Sequence, residues 1–343
     1  MNKKINILIV SGGSSNERQI SLQSGKEVFK HLPFERYSIR QLEINQNNQW
    51  ILSDEIKYFN SKTNKLKFNL LPSDIIKNQM KKVDVIFLAL HGAIGEDGKI
   101  QSLFEMLNIP YTGSGVLASA LGMDKQRCRS FISQYGIMIP KTIIIPKNIT
   151  LSEIEKLVKE SFNYPCVVKP NQSGSSIGIT LVKNSLTLSV AIEEARKHDT
   201  VVLIEEYIKG REITCAIIGN TSNGNLISFP PVEIIPENDF FDFQSKYEST
   251  KTQEICPAKI GHELIEEVKR ISFVIHQMLG CNGLTRCDFI LKNNIFYFLE
   301  INTAPGLTAQ SICPKAALVY GWSLDKLMDK IVTLALENEE NKK

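Results

Sequence analysis

Two acidic residues and one amide near the C-terminal end of the chain have a spacing that suits a metal ion. Asp288, Glu300 and Asn302 lie on two strand-like runs joined by a short polar turn. Because alternate residues of a strand point to one face, Arg286 and Asp288 share a face, as do Glu300 and Asn302. Carboxylate and amide oxygens suit Mg²⁺ that bridges nucleotide phosphates. A surface hairpin with an Arg286–Glu300 ion pair explains the same residues, and both interpretations stay open at this point.

The register of this hairpin decides whether the two sets of side chains meet. They meet only if even-numbered residues pair with even-numbered ones, which in a regular hairpin requires a turn of odd length. A three-residue turn over residues 292–294 satisfies this condition. It predicts that Arg286 lies opposite Glu300 and that Asp288 lies opposite Phe298.

A glycine- and serine-rich loop lies between two strand-like runs at residues 169–178. Glycines let backbone N–H groups approach a phosphate, and serine hydroxyls add donors. Lys169, just before the loop, supplies a mobile positive charge. The segment predicts a phosphate-binding loop, although a plain flexible hairpin loop accounts for it equally well.

Four further polar segments follow or flank predicted strands. Residues 303–311 offer backbone N–H groups and hydroxyls for a carboxylate or an oxyanion. Residues 205–208 with Glu212 offer carboxylates and backbone for an adenine amine and ribose hydroxyls, with a solvated strand end as the simpler explanation. Residues 91–98 and 11–21 each follow a strand where open α/β sheets bind ligands. The segment at residues 11–21 lacks the G-x-G-x-x-G spacing of dinucleotide-binding proteins, which disfavours an NAD-dependent dehydrogenase.

The elements that must position these residues fall into three groups. Up to about residue 112, strands at 5–10, 37–43 and 83–90 alternate with helices at 22–32 and 99–107, which predicts a parallel-sheet α/β unit. Residues 113–200 predict a small α+β unit with a hairpin and with helices at 115–135, 152–162 and 186–198. After residue 200 we expect strands at 201–206, 212–218 and 226–235, a helix at 262–279, the hairpin at 284–301 and a helix at 323–336. Residues 45–75 carry little signal, and residues 236–257 show no periodicity.

Composition excludes several classes of protein. The 343 residues carry a formal charge of +3 with no dense basic block, which argues against a nucleic-acid binder. Seven scattered cysteines without a C-x-x-C pair predict reduced thiols rather than a disulfide framework or a zinc site. The apolar start is too short and too polar for a signal peptide, and the longest apolar run, residues 85–90, is far below the ~20 residues that span a bilayer. We therefore expect a cytoplasmic protein with no membrane partner.

Together these segments resemble the D-alanine–D-alanine ligase family of the ATP-grasp superfamily. The resemblance covers residues 5–335, with all motifs in family order; the segment His91-Gly-x-x-Gly-Glu-Asp-Gly98 and the combination Arg286-x-Asp288 with Glu300-x-Asn302-Thr-x-Pro-Gly306 carry it. It implies an α/β and α+β fold: an N-terminal Rossmann-like (preATP-grasp) domain over residues 1–112, then a two-part ATP-grasp fold. The small subdomain would span residues 113–200. The large one would span 201–343, with a closing loop at 236–257.

The resemblance also implies roles for individual residues. At the ATP site, Lys125 and Lys169 would hold the phosphates with the loop residues Gly174, Ser175 and Ser176, while Glu205, Glu206, Tyr207 and Ile208 would bind adenine and Glu212 ribose. Asp288, Glu300 and Asn302 would hold Mg²⁺ (or Mn²⁺), as two ions. Glu17, linked to Ser175 and Tyr247, would receive the ammonium of the first D-alanine, with His91 and Lys246 also at the substrate site. Arg286 and the Gly306 N–H would stabilise the tetrahedral oxyanion, and Ser311 would hold the second substrate's carboxylate.

The implied activity is ATP-dependent ligation of two D-alanine molecules through a D-alanyl phosphate, in peptidoglycan synthesis. Tyr247 favours an amine acceptor over a hydroxy acid, and a related ligase with another acceptor such as D-serine is the alternative. A regulatory protein that kept ATP binding but lost turnover would not need Glu17, Arg286 and Ser311, which are all present. The family expectation for assembly is a homodimer.

Overall fold

The computed structural model describes residues 3–53, 82–146, 148–174, 177–236 and 252–340. For Glu339 and Glu340 it describes the backbone only. Three β-sheets follow one another along the chain. The predicted α/β and α+β fold class is confirmed: the first sheet is largely parallel and the other two are antiparallel.

The first sheet has the strand order β3-β2-β1-β4. Its strands are β1 (Ile5–Gly12), β2 (Tyr37–Ile44), β3 (Trp50–Ser53) and β4 (Val85–Leu88), with helices α1 (Arg18–His31) and α2 (Lys99–Met106) in the same part of the chain. Strands β2 and β4 flank β1 in parallel, and all four residues of β4 are buried, as its continuous apolar run predicts. The antiparallel strand β3 lies in the segment where the sequence carried little signal. Burial of Trp50 against the core anchors it.

A helix predicted over residues 115–135 is in fact two helices, α3 (Val116–Met123) and α4 (Lys125–Ser133). The break is at Asp124, whose backbone is extended and whose carboxylate accepts a hydrogen bond from the Arg127 N–H at 3.0 Å. An aspartate in this position caps the second helix and ends the first. The break places Lys125 at the first turn of α4.

The second sheet, in the order β5-β8-β6-β7, consists of β5 (Thr142–Ile145), β6 (Cys166–Pro170), β7 (Thr180–Val182) and β8 (Val202–Glu206). Helices α5 (Leu151–Ser161) and α6 (Leu188–Arg196) accompany it. Their buried faces and the sheet share one apolar core. Lys169 and Glu205 thus come from neighbouring strands, since β6 pairs with β8.

The third sheet contains β9 (Arg211–Asn220), β10 (Ile227–Ser228), β11 (Val232–Ile235), β12 (Gln253–Ile255), β13 (Asn282–Lys292) and β14 (Ile295–Asn302). The strand predicted over residues 226–235 is wrong in one respect: it is two short strands, β10 and β11. The interruption contains Pro230 and Pro231, which have no N–H to donate to a ladder. Helices α7 (His262–Met278), α8 (Ile312–Val319) and α9 (Leu324–Glu340) complete the chain.

One apolar core joins the first sheet to the third. It contains Ile9 of β1, Phe87 of β4, Ile218 of β9 and Leu327 and Ile331 of α9. The ion pair between Arg36 and Asp329, at 2.8 Å, adds a polar contact between the same parts of the chain. The N-terminal loops are therefore held against the segment that follows β14, where the candidate site lies.

Helices α3 and α4 belong to the predicted unit over residues 113–200, but they contact the third sheet, whose strands belong to the predicted unit that follows. Both helices pack against β14 of the third sheet, and Ala118, Cys128 and Ile132 share a core with Phe298. The boundaries near residues 112 and 200 stay predictions. No helix among the described residues is long and apolar enough to cross a bilayer.

Candidate active site

Two cavities adjoin each other where the predicted metal ligands lie. The first, of about 440 Å³, is lined by the predicted substrate residues Glu17, His91, Arg286, Gly306 and Ser311, together with Lys125, Gly174 and Asn302. The second, of about 380 Å³, is lined by Lys169, Glu205, Glu206, Tyr207 and Ile208. Four residues line both: Glu212, Ile234, Asp288 and Glu300. The structure thus gathers the described residues of the predicted site into one continuous region.

The hairpin that carries the predicted metal ligands has a different register from the predicted one. Lys292 pairs with Ile295, so the turn has two residues, Asn293 and Asn294, and not three. Both have positive φ angles of 51° and 61°, as the favoured two-residue hairpin turn requires. The side-chain amides of asparagine make this conformation accessible.

A β-bulge restores the even-to-even pairing that a two-residue turn would destroy. Phe289 pairs with Phe298, but Asp288 pairs with Glu300, so Leu299 is the extra residue. The predicted pairs Arg286–Glu300 and Asp288–Phe298 are therefore wrong, and Arg286 lies opposite Asn302. The bulge brings the two carboxylates closer than the predicted register would have done.

The donor set of this hairpin fits a hard divalent cation. Asp288 and Glu300 are direct cross-strand neighbours, and the amide oxygen of Asn302, which accepts the Ala304 N–H at 3.1 Å, follows on the same face. Among the described residues, no group of three His, Cys, Asp or Glu side chains could hold a metal. A site here would need the Asn302 amide as its third protein ligand.

Cations already face both carboxylates. Arg286 donates two hydrogen bonds of 2.8 Å to Asp288, which also accepts the Thr214 hydroxyl at 2.6 Å. The Lys125 Nζ lies 3.1 Å from Glu300. Arg286 thus forms an ion pair with Asp288, its neighbour on the same strand. Cys287, between the two, is buried in the core on the opposite face, as strand alternation predicts.

The second predicted phosphate lysine lies in a buried ion cluster. Lys169 Nζ is 2.8 Å from one carboxylate oxygen of Glu205, and the other oxygen accepts a hydrogen bond from Arg129. Burial, with the charge of Arg129, lowers the pKa of Lys169 to about 8. Burial alone would raise the pKa of Glu205, but the charges of Arg129 and Lys169 lower it below its usual range. Sequence reasoning missed Arg129, because an arginine within a helix carries no signal of burial.

The carboxylate of Glu17 occupies a space that two glycines leave open. A Cβ atom at Gly92 would lie 2.5 Å from its Oε2, and one at Gly174 would lie 2.7 Å from the same atom. These distances are below any normal contact, so the loop that follows β4 and the loop that follows β6 approach Glu17 only because both positions lack a side chain.

His91 connects the N-terminal loops to the segment after β14. Its Nδ1 lies 2.9 Å from the Ala304 carbonyl, which only accepts, so this nitrogen carries the proton. Its Nε2 lies 2.8 Å from Ser24 Oγ, which in turn accepts the Leu307 N–H at 3.3 Å. Burial lowers the pKa of His91, although the charge of Glu17 opposes this. Both nitrogens therefore bind protein groups, and His91 lines the first cavity as a neutral ring.

Glu96 makes a second connection of the same kind, and sequence reasoning assigned it no role. Its carboxyl group accepts the Gly92 N–H at 2.7 Å and the Ala304 N–H at 3.2 Å. Burial and the neighbouring charge of Glu17 raise its pKa to about 8. The motif at residues 91–98 contains Glu96, so the motif itself was the available signal.

Gly306 and Ser311 lie together at the start of α8. A Cβ atom at Gly306 would lie 2.8 Å from Ser311 Oγ, and that hydroxyl contacts the Thr308 hydroxyl at 2.8 Å. Ser311 is the residue that precedes the first turn of the helix. Backbone N–H groups and the positive end of the helix dipole suit an anionic group at this position.

Two family models match the chain: "D-ala D-ala ligase N-terminus" over residues 6–114 and "D-ala D-ala ligase C-terminus" over residues 131–333. A D-alanine–D-alanine ligase from Halalkalibacterium halodurans is 36% identical over 333 residues, which covers 96% of this chain and 99% of that protein. The chain belongs to the D-alanine–D-alanine ligase family.

Solved structures of this family have the same fold. The D-alanine–D-alanine ligase of Bacillus anthracis in complex with ATP matches with a TM-score of 0.78 and 32% identity, covering 100% of both chains. The VanG D-Ala:D-Ser ligase of Enterococcus faecalis matches with a TM-score of 0.82 and 31% identity, covering 97% of this chain and 100% of that one. These matches extend the predicted family resemblance to the three-dimensional structure.

Some residues that the family resemblance singles out lie outside the described part of the chain. These are Ser175, Ser176, Lys246 and Tyr247, with most of the predicted closing loop at 236–257. Their roles stay predictions. The described neighbour Gly174 lies against Glu17, which is compatible with the predicted link between Glu17 and Ser175.

Proposed function

We propose that this protein joins two D-alanine molecules into D-alanyl-D-alanine through a D-alanyl phosphate, with release of ADP and phosphate from ATP, for peptidoglycan synthesis. The observation that supports this most is the shared boundary of the two cavities at Asp288 and Glu300. A nucleotide in one cavity and an amino acid in the other would meet at these two carboxylates. This is the arrangement that transfer of a phosphoryl group to a carboxylate requires.

The second cavity is the proposed nucleotide site. Glu206, the last residue of strand β8, and the residues after it, Tyr207 and Ile208, would face adenine, and Glu212 the ribose. Both oxygens of Glu205 are occupied by Arg129 and Lys169, so its contribution to adenine binding would be through its backbone. Lys125 and Lys169 would hold phosphate oxygens. Mg²⁺ or Mn²⁺ bound by Asp288, Glu300 and Asn302 would neutralise phosphate charge.

The first cavity would hold both amino acids. Glu17 would accept hydrogen bonds from the ammonium of the donor D-alanine and so direct its carboxylate towards the γ-phosphate. Phosphorylation turns that carboxylate into an acyl phosphate, which the amine of the second D-alanine can attack. The Arg286 guanidinium and the Gly306 N–H would stabilise the oxyanion of that step, and Ser311 would bind the acceptor's carboxylate.

A D-serine acceptor is not favoured. The relative from Halalkalibacterium halodurans, at 36% identity, is named for D-alanine, whereas the VanG ligase is 31% identical. The remaining parts of the proposal are a division into units 1–112, 113–200 and 201–343, a homodimer, and a cytoplasmic location where ATP is supplied. The homodimer follows from the family alone, whereas the unit boundaries and the location were also expected from the sequence pattern.

The test is D-alanine-dependent phosphate release from ATP by the purified protein, with identification of the dipeptide by mass spectrometry. We expect release that needs D-alanine, ATP and Mg²⁺ together. Release without D-alanine, or none with it, would refute the ligase proposal. The acceptor is tested by supplying D-alanine and D-serine together, and a mixed dipeptide as the main product would refute D-alanine as the preferred acceptor.

A further inference from the structure

Arg129 is the largest fully buried side chain of the described residues, with no exposed surface. It lies on α4, one turn after the predicted phosphate lysine Lys125, and its guanidinium contacts two different strands. Nε donates a 2.6 Å hydrogen bond to the Leu299 carbonyl of β14, and Nη1 donates one to Glu205 of β8. The third and second sheets are therefore joined through this one side chain.

The first contact lies at the bulge that sets the positions of the metal ligands. Leu299 is the extra residue that lets Asp288 pair with Glu300. A bulge disrupts the ladder locally, so its backbone groups need partners from elsewhere. Arg129 supplies a donor for the Leu299 carbonyl. It thereby fixes the peptide immediately before Glu300.

The second contact lies at the other phosphate-binding group. Arg129 takes one oxygen of Glu205, which leaves the other for Lys169 Nζ at 2.8 Å. All three side chains are at most 7% exposed, so water screens their charges little. Without Arg129, the full charge of Glu205 would act on the Lys169 ammonium. The Glu205 carboxylate would then compete with phosphate oxygens for that ammonium.

We propose that Arg129 is a positioning residue of the nucleotide site, which holds the Leu299 bulge before Glu300 and shares Glu205 with Lys169. The inference rests on the proposed function only in taking the second cavity as the nucleotide site. Arg129 lines neither cavity and acts through the groups it binds.

A role in stability alone explains the arrangement less well. The remaining guanidinium nitrogen, Nη2, is buried and has no hydrogen-bond partner among the described residues. Buried ion pairs rarely stabilise a fold more than apolar side chains of the same size, and an unpaired buried donor costs further free energy. Unlike an apolar side chain, Arg129 can hold two acceptors, the Leu299 carbonyl and the Glu205 carboxylate, in fixed positions relative to each other.

The test uses Arg129→Lys and Arg129→Met, with Arg127→Met as the matched control. Arg127 lies on the same helix with a 75% exposed side chain, so its loss removes the same charge and its ion pair with Asp124 but no contact with Leu299 or Glu205. ADP affinity is measured by calorimetry with and without Mg²⁺, alongside melting temperature and the KM values for ATP and D-alanine. ADP binding is independent of ligation, so a wild-type protein that binds ADP but makes no dipeptide would refute the proposed function and leave this inference testable.

A single lysine ammonium reaches one of the two acceptors but does not hold both as the guanidinium does. We therefore expect Arg129→Lys to fold, to bind ADP about tenfold or more weakly and to raise KM for ATP, with KM for D-alanine and the control unchanged. Wild-type ADP affinity in Arg129→Lys would overturn the proposal, as would equal losses for ATP and D-alanine, which indicate general distortion. If Arg129→Met does not fold, Arg129→Lys decides.

A double variant separates action through Glu205 from independent effects. If Arg129 acts through Glu205, the loss of ADP affinity in Arg129→Lys/Glu205→Gln should be smaller than the product of the two single losses. The result that contradicts this part is a double variant whose loss equals that product.

Discussion

The variant Gly174→Ala tests the proposal that Glu17 binds the donor D-alanine, because the missing side chain at Gly174 leaves room for the Glu17 carboxylate. A methyl group at this position would lie 2.7 Å from Glu17 Oε2, whereas ordinary van der Waals contact begins at 3.4 Å. The variant Gly174→Ala therefore requires the carboxylate to move by about 0.7 Å. The φ angle of Gly174 is outside the left-handed region, so alanine adds no backbone strain there.

The expected effect falls on catalysis and not on stability. The displaced atoms are the end of a flexible side chain, and alanine restricts the unfolded chain, so stability should stay the same or rise by up to about 1 kcal/mol. A misplacement of about 1 Å can cost about a hundredfold in rate. For 0.7 Å we expect kcat/KM for D-alanine to fall by about tenfold or more.

The assay is initial-rate kinetics, with D-alanine varied at saturating ATP and ATP varied at saturating D-alanine. Gly261→Ala is the control, since a methyl group at Gly261 meets no atom within 4 Å. We expect the loss in the D-alanine series only. An increased KM for ATP with unchanged dependence on D-alanine would refute the reasoning, because it would mean that Gly174 serves the phosphates and not Glu17.

Three further predictions concern the nucleotide, the metal and the acceptor. Because burial lowers the pKa of Lys169 to about 8, kcat/KM for ATP should fall as the pH rises through about 8 and the ammonium loses its proton; a flat pH–rate profile there would contradict this. Glu300→Gln should abolish turnover by weakening metal binding, and activity near wild type at limiting Mg²⁺ would show that Glu300 is not a ligand. Gly306→Ala would place a methyl group 2.8 Å from Ser311 Oγ and should weaken acceptor binding while ADP affinity, measured by calorimetry, stays at the wild-type value.

The sequence predicted which of the described residues line the two cavities better than it predicted the pairing of the strands that carry them. Strand alternation with a three-residue turn predicted that Asp288, Glu300 and Asn302 share one face; the structure pairs Asp288 with Glu300, but through a two-residue turn and a bulge. The predicted turn was wrong although a signal existed, since Asn293 and Asn294 are both residues that accept positive φ angles. The bulge at Leu299 had no local signal, because the donor for its carbonyl is 170 residues away in the chain.

The helix over residues 115–135 shows a similar difference between local and distant information. Its break was accessible from the sequence, because Asp124 is a preferred capping residue. The burial of Arg129 was not accessible, because its partners Leu299 and Glu205 come from other sheets. Side chains whose role is to join separate elements leave no periodic pattern, so the structure was needed to find Arg129 and the contacts of Glu96.

The ion pairs around the two central carboxylates also bear on how nucleotide and metal would bind. Asp288 is paired with Arg286 and Glu300 with Lys125, so each of these two predicted metal ligands already has a cation against it. A divalent ion would have to compete with these cations, while nucleotide phosphates would compete with the carboxylates for Lys125. Phosphates that drew Lys125 away would leave Glu300 available to a metal ion, and a metal ion on Glu300 would release Lys125 for the phosphates. Each ligand would then remove an ion pair that opposes binding of the other, and by linkage we expect nucleotide and metal to increase each other's affinity.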